Sequence, residues 1–542
     1  MAGGVITVVR RAVRTGGSPR SAEGDGRRAG AGLSPGARSA ALAVLCVSVL
    51  MANLDNTILN VALPTLVRDL NAGSSDLQWI VDAYMIVYAG LLLTAGSLAD
   101  RIGRKRTFLA GLVLFAAGSS WAAFSGSVGL LIAARASMGV GGALMIPSTL
   151  SIITDMYRGE GDRQRAISIW AATTGFGVAL GPIIGGLLLA HFWWGSVFLV
   201  NVPIAVAGLA AGAWLVPDSR NTGALAPDLA GTVVSIAGIG LVLWAIIEGP
   251  TRGWSSALVL GVGTAGLVAL ALFVVLERVS AHPMLQLRFF RDRAFGAAIP
   301  AVMTVSFGLF GALFVLTQFL QFSLGYSPLA AGVRVLPAAG AIVLISPLSA
   351  VGVRVLGPKV TMAGGLALIA TGLWLVSSIT GSTGYGGVVV GMVLLGAGAG
   401  LALPTASGSV VGSVPRQHSG VASATNTTAI QVGGAIGVAV VGSLLSTRYS
   451  DDIAASLARA AGSGQAGAAG QHIPHAALAA IEGSLGGALD VAQRLPEAAG
   501  QLLAQAARGA FASGVDLGML TAAGVAMAGF LIAAIWLPRR TS

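Results

Sequence analysis

An aspartate inside a long apolar segment is the first residue in this sequence whose position suggests chemistry. Asp55 lies in an apolar run over about 41–63, which is long enough to cross a bilayer. A carboxylate at that depth raises the free energy of insertion by roughly 3 kcal/mol or more, so such residues usually face a cavity or a partner. We therefore predict that the chain moves a solute across a membrane and that Asp55 binds a proton.

Arg135 is a second charged residue inside an apolar segment. At 1.5 Å per residue, Asp55 and Arg135 lie at similar depths, roughly 10–12 Å from the outer ends of their spans. A buried charge is normally paired or faces water, so the sequence predicts either a direct pair or a shared hydrated cavity. A purely structural ion pair is the alternative.

Other polar residues inside apolar segments are candidates for lining a cavity. At 100° per residue, Asn56 and Asn60 share a helix face that Asp55 does not, so we favour Asp55 as a proton site over a substrate clamp. Asp82 is a weaker second candidate for titration. Interhelical hydrogen bonds are the alternative for the glutamines and Asn426. The candidate cavity-lining residues are Asn56, Asn60, Asp82, Tyr84, Gln318, Gln321, Asn426 and Gln431.

The loop after the second apolar segment is predicted to gate a conformational change. Asp100 and Arg104 are spaced to form a charged latch that pairs in one conformation and separates in another, whereas Lys105 and Arg106 are typical of a positive-inside anchor. Gly96 allows a neighbouring helix to approach. The gating residues predicted here are Gly96, Asp100, Arg101, Gly103 and Arg104.

The fifth apolar segment contains Gly177, Gly181, Pro182, Gly185 and Gly186. Glycines at every fourth position make a flat strip for close helix contact, and the proline removes one backbone hydrogen bond and bends the helix. The pattern predicts a bend at a tight interface, suited to a seal or a rocking contact. Helix packing without a role in transport is the alternative.

The composition is that of an integral membrane protein. Of 542 residues, 55% are hydrophobic and 10% are charged, against about 25% charged in soluble chains, and the mean hydropathy is +0.83. The net charge of +11 does not indicate nucleic acid, because the basic residues lie in short loops and tails. The one cysteine, Cys46, excludes a disulfide within the chain.

Fourteen segments are long and apolar enough to span a membrane. Most of the 32 Lys and Arg residues lie on one side if both termini are cytoplasmic, as the positive-inside rule requires. The outer loop 447–512 is predicted to form partly amphipathic helices or nothing stable. The predicted spans are 41–63, 79–98, 107–125, 128–153, 166–190, 196–216, 229–249, 256–276, 296–320, 330–351, 360–380, 386–410, 421–446 and 513–537.

An internal repeat divides these spans into two halves. Parallel repeats with a site at their interface recur among transporters, so we predict an all-α fold of two six-helix halves with an inserted central pair. The predicted domains are a disordered tail 1–38, a first half 39–216, an inserted pair 217–280 and a second half 281–542. Three patterns recur about 255 residues apart: Gly139-x-Gly141 as Gly396-x-Gly398, Gly177 and Gly181 as Gly433 and Gly437, and Gly103, Lys105 and Thr107 as Gly357, Lys359 and Thr361.

Together these motifs resemble the major facilitator superfamily, and within it the fourteen-helix drug:proton antiporters. The resemblance covers about 41–446 and the last span. It implies that Asp55 takes part in proton coupling, that Arg135 belongs to the proton path, and that the Gly-Pro motif is tied to export. Met138 stands where the family often has a glutamine, so polar assistance to Arg135 at that position is not expected.

The resulting hypothesis is a proton-coupled exporter of hydrophobic or cationic organic compounds, working by alternating access. Protonation of Asp55 favours one facing state by removing a buried charge. The sequence has no phosphate-binding loop, and we expect the proton motive force as the energy source, with no enzyme activity, cofactor or metal. We expect a monomer in the bacterial plasma membrane, with small organic substrates, protons and lipid as partners and no nucleic acid. The alternatives are a dedicated exporter of one endogenous metabolite or lipid, and a non-transporting receptor or scaffold.

Overall fold

The computed structural model describes residues 34–157, 159–220, 228–280, 283–378, 384–415, 419–462 and 475–537. Most of the predicted N-terminal tail, residues 1–33, lies outside the described residues. Within the described ranges every regular element is helical. The prediction of an all-α fold is therefore confirmed.

Thirteen helices of the described chain are long and apolar enough to cross a membrane. The longest, Pro328–Ser377, is broken at Gly357, where φ is 84° and ψ is 163°, so it comprises two helices and the predicted number of fourteen spans is confirmed. In chain order the helices are α1 (Pro35–Leu70), α2 (Ser74–Ile102), α3 (Arg104–Ala123), α4 (Val128–Met156), α5 (Glu160–His191), α6 (Ser196–Leu215), α7 (Leu229–Arg252), α8 (Ala257–Val279), α9 (Arg293–Ser323), α10 (328–356), α11 (358–377), α12 (Tyr385–Gly412), α13 (Ser419–Gly462), α14 (His475–Gly483), α15 (Leu485–Arg494) and α16 (Glu497–Trp536).

The two halves, α1–α6 and α9–α13 with α16, pack their helices in the same way. A Cβ atom added at Gly139 of α4 would lie 2.8 Å from the carbonyl oxygen of Tyr84 in α2. At Gly396 of α12 it would lie 2.2 Å from the carbonyl oxygen of Ala338 in α10. Since α4 and α12, and α2 and α10, are equivalent in the repeat, the same close approach occurs twice.

A second equivalence holds at the turn before the third helix of each half. Gly103 has φ of 123° and Gly357 has φ of 84°. Residues that carry a Cβ atom rarely adopt this backbone region. The hydroxyl of Thr107 donates to the Gly103 carbonyl at 3.0 Å, and Thr361 donates to the Gly357 carbonyl at 2.9 Å. The repeat read from the sequence therefore corresponds to repeated local structure. The exact domain limits at 38/39, 216/217 and 280/281 stay a prediction.

The described part of the segment 447–512 is helical. This agrees with the predicted helices and not with the alternative of no stable structure. Helix α13 continues to Gly462, α14 and α15 follow, and α16 begins at Glu497; residues 463–474 lie outside the described residues. Tyr449 donates to the carbonyl of Ile481 at 2.8 Å. We call α14, α15 and the adjoining ends of α13 and α16 the cap. The end of the helix bundle that the cap covers is the cap face. The opposite end of the bundle is the terminal face.

The halves are in contact near the cap face and apart near the terminal face. Between α5 and α10, a Cβ at Gly186 would lie 2.6 Å from Leu329 Cα, and one at Gly332 would lie 2.1 Å from the Pro182 carbonyl oxygen. Nearer the terminal face, Ala166 is the single buried residue among the described side chains of 161–176. In 343–356 of α10, Ser349 is the single buried residue. Both helices therefore lose their neighbours toward the terminal face.

Candidate functional site

The charged residues of the first and fourth helices form a direct pair. Nη1 of Arg135 lies 2.5 Å from Oδ2 of Asp55, and the exposed fractions of the two side chains are 1% and 0%. Of the two arrangements that the sequence left open, the structure therefore has the ion pair. The helical phase also agrees, because Asp55 points into the first half rather than toward the second.

The other carboxylate oxygen of Asp55 is held by a residue of α6. Nδ2 of Asn201 donates to Oδ1 of Asp55 at 2.8 Å and is also 3.3 Å from the hydroxyl of Ser119 in α3. Asn201 and Ser119 are fully buried. Both oxygens of the carboxylate thus have a donor, and hydrogen bonds to an ionised group are about twice as strong as neutral ones.

The guanidinium of Arg135 has further partners in α2 and α6. Its Nε donates to the carbonyl oxygen of Ile80 at 3.1 Å, and its Cζ lies 4.6 Å from the centre of the Tyr84 ring and 6.0 Å from that of Phe198. Met138 is buried, and the polar contact to Arg135 that a glutamine could make at that position is made instead by the carbonyl oxygen of Ile80. Tyr84, a candidate cavity-lining residue, lies over the guanidinium inside the first half.

In this arrangement the buried guanidinium of Arg135 is paired with the carboxylate of Asp55. Two buried charges lose their hydration, and only good geometry and additional hydrogen bonds compensate for that loss. If Asp55 takes up a proton, the guanidinium is left as an unpaired buried charge, which is strongly unfavourable. Proton binding at Asp55 therefore requires Arg135 to move or to find another partner, so the pair can link protonation to a rearrangement of α1 and α4.

The facing surfaces of the two halves enclose a small pocket of about 20 Å³. Thr57 and Asn60 of α1 line it together with Pro182 of α5 and apolar residues of α9 and α10. A pocket of that size holds about one water molecule. Among the candidate cavity-lining residues, Asn60 therefore lies at the interface, and its Nδ2 donates to the Asn56 carbonyl at 3.3 Å.

The glutamines of the second half differ in their contacts. Nε2 of Gln321 donates to the carbonyl oxygen of Val61 at 2.9 Å and so joins α9 to α1 across the interface. Gln318 donates to the carbonyl of Phe314 in its own helix at 3.0 Å. The side-chain oxygens of Asn426 and Gln431 are buried and have no hydrogen-bond partner among the described residues.

Asp82 is fully buried, and neither of its carboxylate oxygens has a hydrogen-bond partner in the described part of the chain. It lies on the face of α2 that contacts α13. On that face Gln78 accepts a hydrogen bond of 3.2 Å from Ser443, and the Ala89 carbonyl accepts one of 3.4 Å from Thr428. Asp82 thus lies at the seam between the halves, away from Asp55, and its titration stays a prediction.

The predicted latch is closed in this structure. Nε of Arg104 donates to Oδ1 of Asp100 at 2.7 Å, and its Nη1 pairs with Asp155 at the end of α4. Arg101 is exposed. A Cβ at Gly96 would lie 4.0 Å from Pro147, which is an ordinary contact, so the close approach expected at Gly96 is not required here. The latch joins the terminal-face ends of α2 and α4.

The Gly-Pro motif faces two neighbours. A Cβ at Gly177 would lie 2.9 Å from the Leu50 carbonyl oxygen, and one at Gly181 would lie 1.9 Å from Thr57 Oγ1. Gly185 likewise packs on Ile58, so the glycine strip holds α5 against α1. The other face, with Pro182 and Gly186, meets α10 of the second half as described above.

Two residues of this site were not predicted from the sequence. Asn201 lies within the sixth apolar span, and a polar amide inside an apolar segment is the signal that could have identified it. Asp155 lies at the end of the fourth span, where an acidic residue is consistent with a solvent-exposed side chain and does not by itself indicate a partner. Their partners are 146 and 51 residues distant along the chain, so the spacing within each segment gave no indication of either contact.

Two similar six-helix halves around a shared interface define a secondary transporter of the repeat type. The model of the Major Facilitator Superfamily matches residues 45–438, and the chain belongs to this superfamily.

The similar proteins include several exporters. The chain is 38% identical over 479 residues to the multidrug efflux pump LfrA of Mycolicibacterium smegmatis, which covers 88% of this chain and 91% of that protein. It is 34% identical to the tetracenomycin C resistance and export protein of Streptomyces glaucescens, with 91% and 90% covered. It is also 34% identical to the methyl viologen resistance protein SmvA of Salmonella typhimurium, with 87% and 92% covered.

Solved structures share the fold at low sequence identity. A bacterial homologue of the human lysosomal transporter Spinster, in an inward-facing and unoccupied conformation, has a TM-score of 0.62 at 17% identity, covering 94% of this chain and 100% of that one. The human organic anion transporter MFSD10 has a TM-score of 0.56 at 14% identity, with 92% and 100% covered.

Proposed function

We propose that this protein is a proton-coupled antiporter that exports hydrophobic or cationic organic compounds by alternating access. The observation that carries the proposal is the buried pair of Asp55 and Arg135, which lies inside one half of a two-half transporter fold. The relatives named for multidrug efflux, methyl viologen resistance and tetracenomycin C export support the substrate class. The proton motive force supplies the energy, and no cofactor is involved.

The orientation follows from the basic residues of the short loops. Arg101, Arg106 and Lys359 lie at the terminal face, so the positive-inside rule places that face in the cytoplasm of a bacterium and the cap outside. Both termini are then cytoplasmic. With this orientation, the halves in the present conformation are closed toward the outside and open toward the cytoplasm. We further propose that a monomer suffices, because the pathway lies between two halves of one chain.

The ionised pair fits the stage of the cycle at which the proton has left. In the conformation open to the cytoplasm, Asp55 is held by Arg135 and Asn201, and a compound enters between the halves from the cytoplasmic side. In the outward-open conformation Arg135 moves away and Asp55 takes up a proton from outside. Each ligand shifts the equilibrium only by its difference in affinity for the two states, so the proton must bind the outward-open state more tightly.

Flux into proteoliposomes under an imposed pH gradient tests this function. With the vesicle lumen acidic, the purified protein should accumulate methyl viologen or a lipophilic cation, and collapse of the gradient with a protonophore should abolish accumulation. Accumulation that persists without a gradient contradicts proton coupling. A non-transporting receptor gives no flux in either condition.

A dedicated exporter is a second candidate, since one relative is named for a single compound, tetracenomycin C. Growth inhibition across a compound panel, with and without the gene, decides between the two. Protection against several unrelated classes supports the multidrug proposal, and protection against one compound supports the dedicated exporter.

A further inference from the structure

A second cavity lies beside the seam between the halves, on the side covered by the inserted pair α7 and α8. Its volume is about 160 Å³, and we call it the lateral cavity. Both halves and the inserted pair contribute to its wall. The residues that the argument uses are Ala89 of α2, Ser235 of α7, Phe290 before α9, Met303 of α9, and Thr425 and Thr428 of α13.

Helix α7 covers this seam and is fixed to both halves near the cap face. Ser75 of α2 donates to the Ile247 carbonyl at 3.3 Å, and Ser443 of α13 donates to the Ile246 carbonyl at 2.7 Å. Nearer the terminal face, Thr94 of α2 is hydrogen-bonded to Thr232 of α7. The lateral cavity lies between these attachments, so it is part of a built enclosure rather than an exposed helix face.

The residues that line the lateral cavity disfavour the binding of a charged group. None of the described residues that line it is charged, and each of their hydroxyl groups already donates to a backbone carbonyl. Ser235 and Thr425 donate within their own helices at 2.9 and 2.8 Å, and Thr428 donates to Ala89 at 3.4 Å. A charged group would be left there without a partner, which is unfavourable. The lining therefore suits an uncharged group.

The size of the lateral cavity indicates which group fits. Apolar cavities of about 150 Å³ bind molecules the size of benzene, so this cavity accommodates one aromatic ring or a short aliphatic chain. Met303 adds a flexible and polarizable side chain that adapts to ligands of different shape. Phe290 in the wall is 38% exposed, which leaves the enclosure accessible at that residue.

We propose that the lateral cavity binds the uncharged aromatic or aliphatic part of compounds that dissolve in the bilayer, before they reach the interface between the halves. This inference rests on the proposed export of organic compounds. Because α2 belongs to one half and α9 and α13 to the other, movement of the halves changes the shape of the cavity. Compounds that stay in water do not need this site.

Filling the cavity from the inserted pair tests the proposal. Ser235→Phe places a ring into the lateral cavity. Val233→Phe places the same ring two residues away, where Val233 is 66% exposed. Thr428→Val removes the hydrogen bond to Ala89 and keeps the volume. Met303→Trp fills the cavity from the opposite wall, so the test does not depend on one variant folding.

The first measurement is photolabelling of the full-length protein in proteoliposomes with phenyl trifluoromethyl diazirine, followed by peptide mapping. Labelling of Met303 and Phe290 should saturate, should be competed by the uncharged dye Nile red, and should fall about tenfold in Ser235→Phe. In Met303→Trp, labelling of Phe290 should fall by the same factor. Val233→Phe and Thr428→Val should retain it. Labelling that Nile red does not compete for, or that survives both filling variants, overturns the proposal.

The second measurement compares export of Nile red with export of methyl viologen, a water-soluble dication. Both filling variants should slow Nile red export about tenfold and leave methyl viologen export at the rate of Val233→Phe. An equal loss for both compounds overturns the proposal, because it indicates general damage. If the wild-type protein exports neither compound, the proposed function fails, and the labelling result still decides whether the cavity binds an apolar ligand.

Discussion

Asn201 donates a hydrogen bond of 2.8 Å to the one carboxylate oxygen of Asp55 that Arg135 leaves free. This contact joins the sixth helix to the first and completes the coordination of a carboxylate with no exposed surface. The amide holds the side chain of Asp55 in the orientation in which its other oxygen meets Arg135. Asn201 is therefore a positioning residue for the proposed proton site.

Removal of this amide should slow proton-coupled exchange without preventing folding. We expect Asn201→Ala to lower the exchange rate in proteoliposomes about tenfold, because a hydrogen bond to a charged group contributes about 1.5–3 kcal/mol. Ser119→Ala is the matched control, since Ser119 contacts the same amide at 3.3 Å but does not touch Asp55. Similar losses in both variants would show that Asn201 acts through general packing.

The buried pair should make single and double substitutions differ in stability. Arg135→Gln leaves Asp55 buried without its counter-charge and should destabilise the folded protein by about 3–5 kcal/mol. Adding Asp55→Asn removes that charge and should recover most of the loss. Thermal unfolding of the detergent-solubilised protein measures both. A double variant as unstable as Arg135→Gln contradicts this account of the pair.

Contact between the halves at the cap face should depend on Gly332. A Cβ there would lie 2.1 Å from the Pro182 carbonyl oxygen, whereas one at Gly340 of the same helix meets nothing within 4 Å. Gly332→Ala should hold the cap face open and reduce transport. A cysteine substituted for Asn60 should then react more with an impermeant reagent added from the cap side. Gly340→Ala should match the parent protein in both measurements, and equal behaviour of the two variants contradicts the prediction.

The latch should affect transport more than stability. Arg104 joins Asp100 and Asp155, and partly exposed pairs contribute only about 0–1 kcal/mol to folding. Arg104→Ala should therefore reduce the exchange rate while the melting temperature changes little. Arg106→Ala removes an exposed arginine two residues later in the same helix and should leave the exchange rate unchanged. A loss of rate in Arg106→Ala equal to that in Arg104→Ala would favour a general charge effect.

Much of the fold could be predicted because it depends on local pattern. Apolar length fixes each span, and the repeat marks Gly103 and Gly357 as equivalent, in agreement with the positive φ of both. The similar depth of Asp55 and Arg135 also followed from counting residues along two helices. These features need no knowledge of how distant helices are arranged around each other.

The remainder of the site depends on packing between distant segments. Asn201 reaches Asp55 only because α6 packs against α1, and the Ile80 carbonyl reaches Arg135 only because α2 packs against α4. Tyr84 was a candidate for the cavity because it is polar, yet its ring covers Arg135. A backbone carbonyl also has no signature in a sequence, so that partner could not have been found without the structure.

The central claim is that protonation of Asp55 drives transport, and Asp55→Asn tests it directly. The asparagine keeps the size of the side chain and removes its titration. In proteoliposomes with equal pH on both sides, the variant should still exchange labelled for unlabelled methyl viologen across the membrane. With an imposed pH gradient, it should fail to accumulate the compound against its gradient, whereas the wild-type protein accumulates it. Accumulation by Asp55→Asn at the wild-type level would contradict the account and place the coupling site elsewhere.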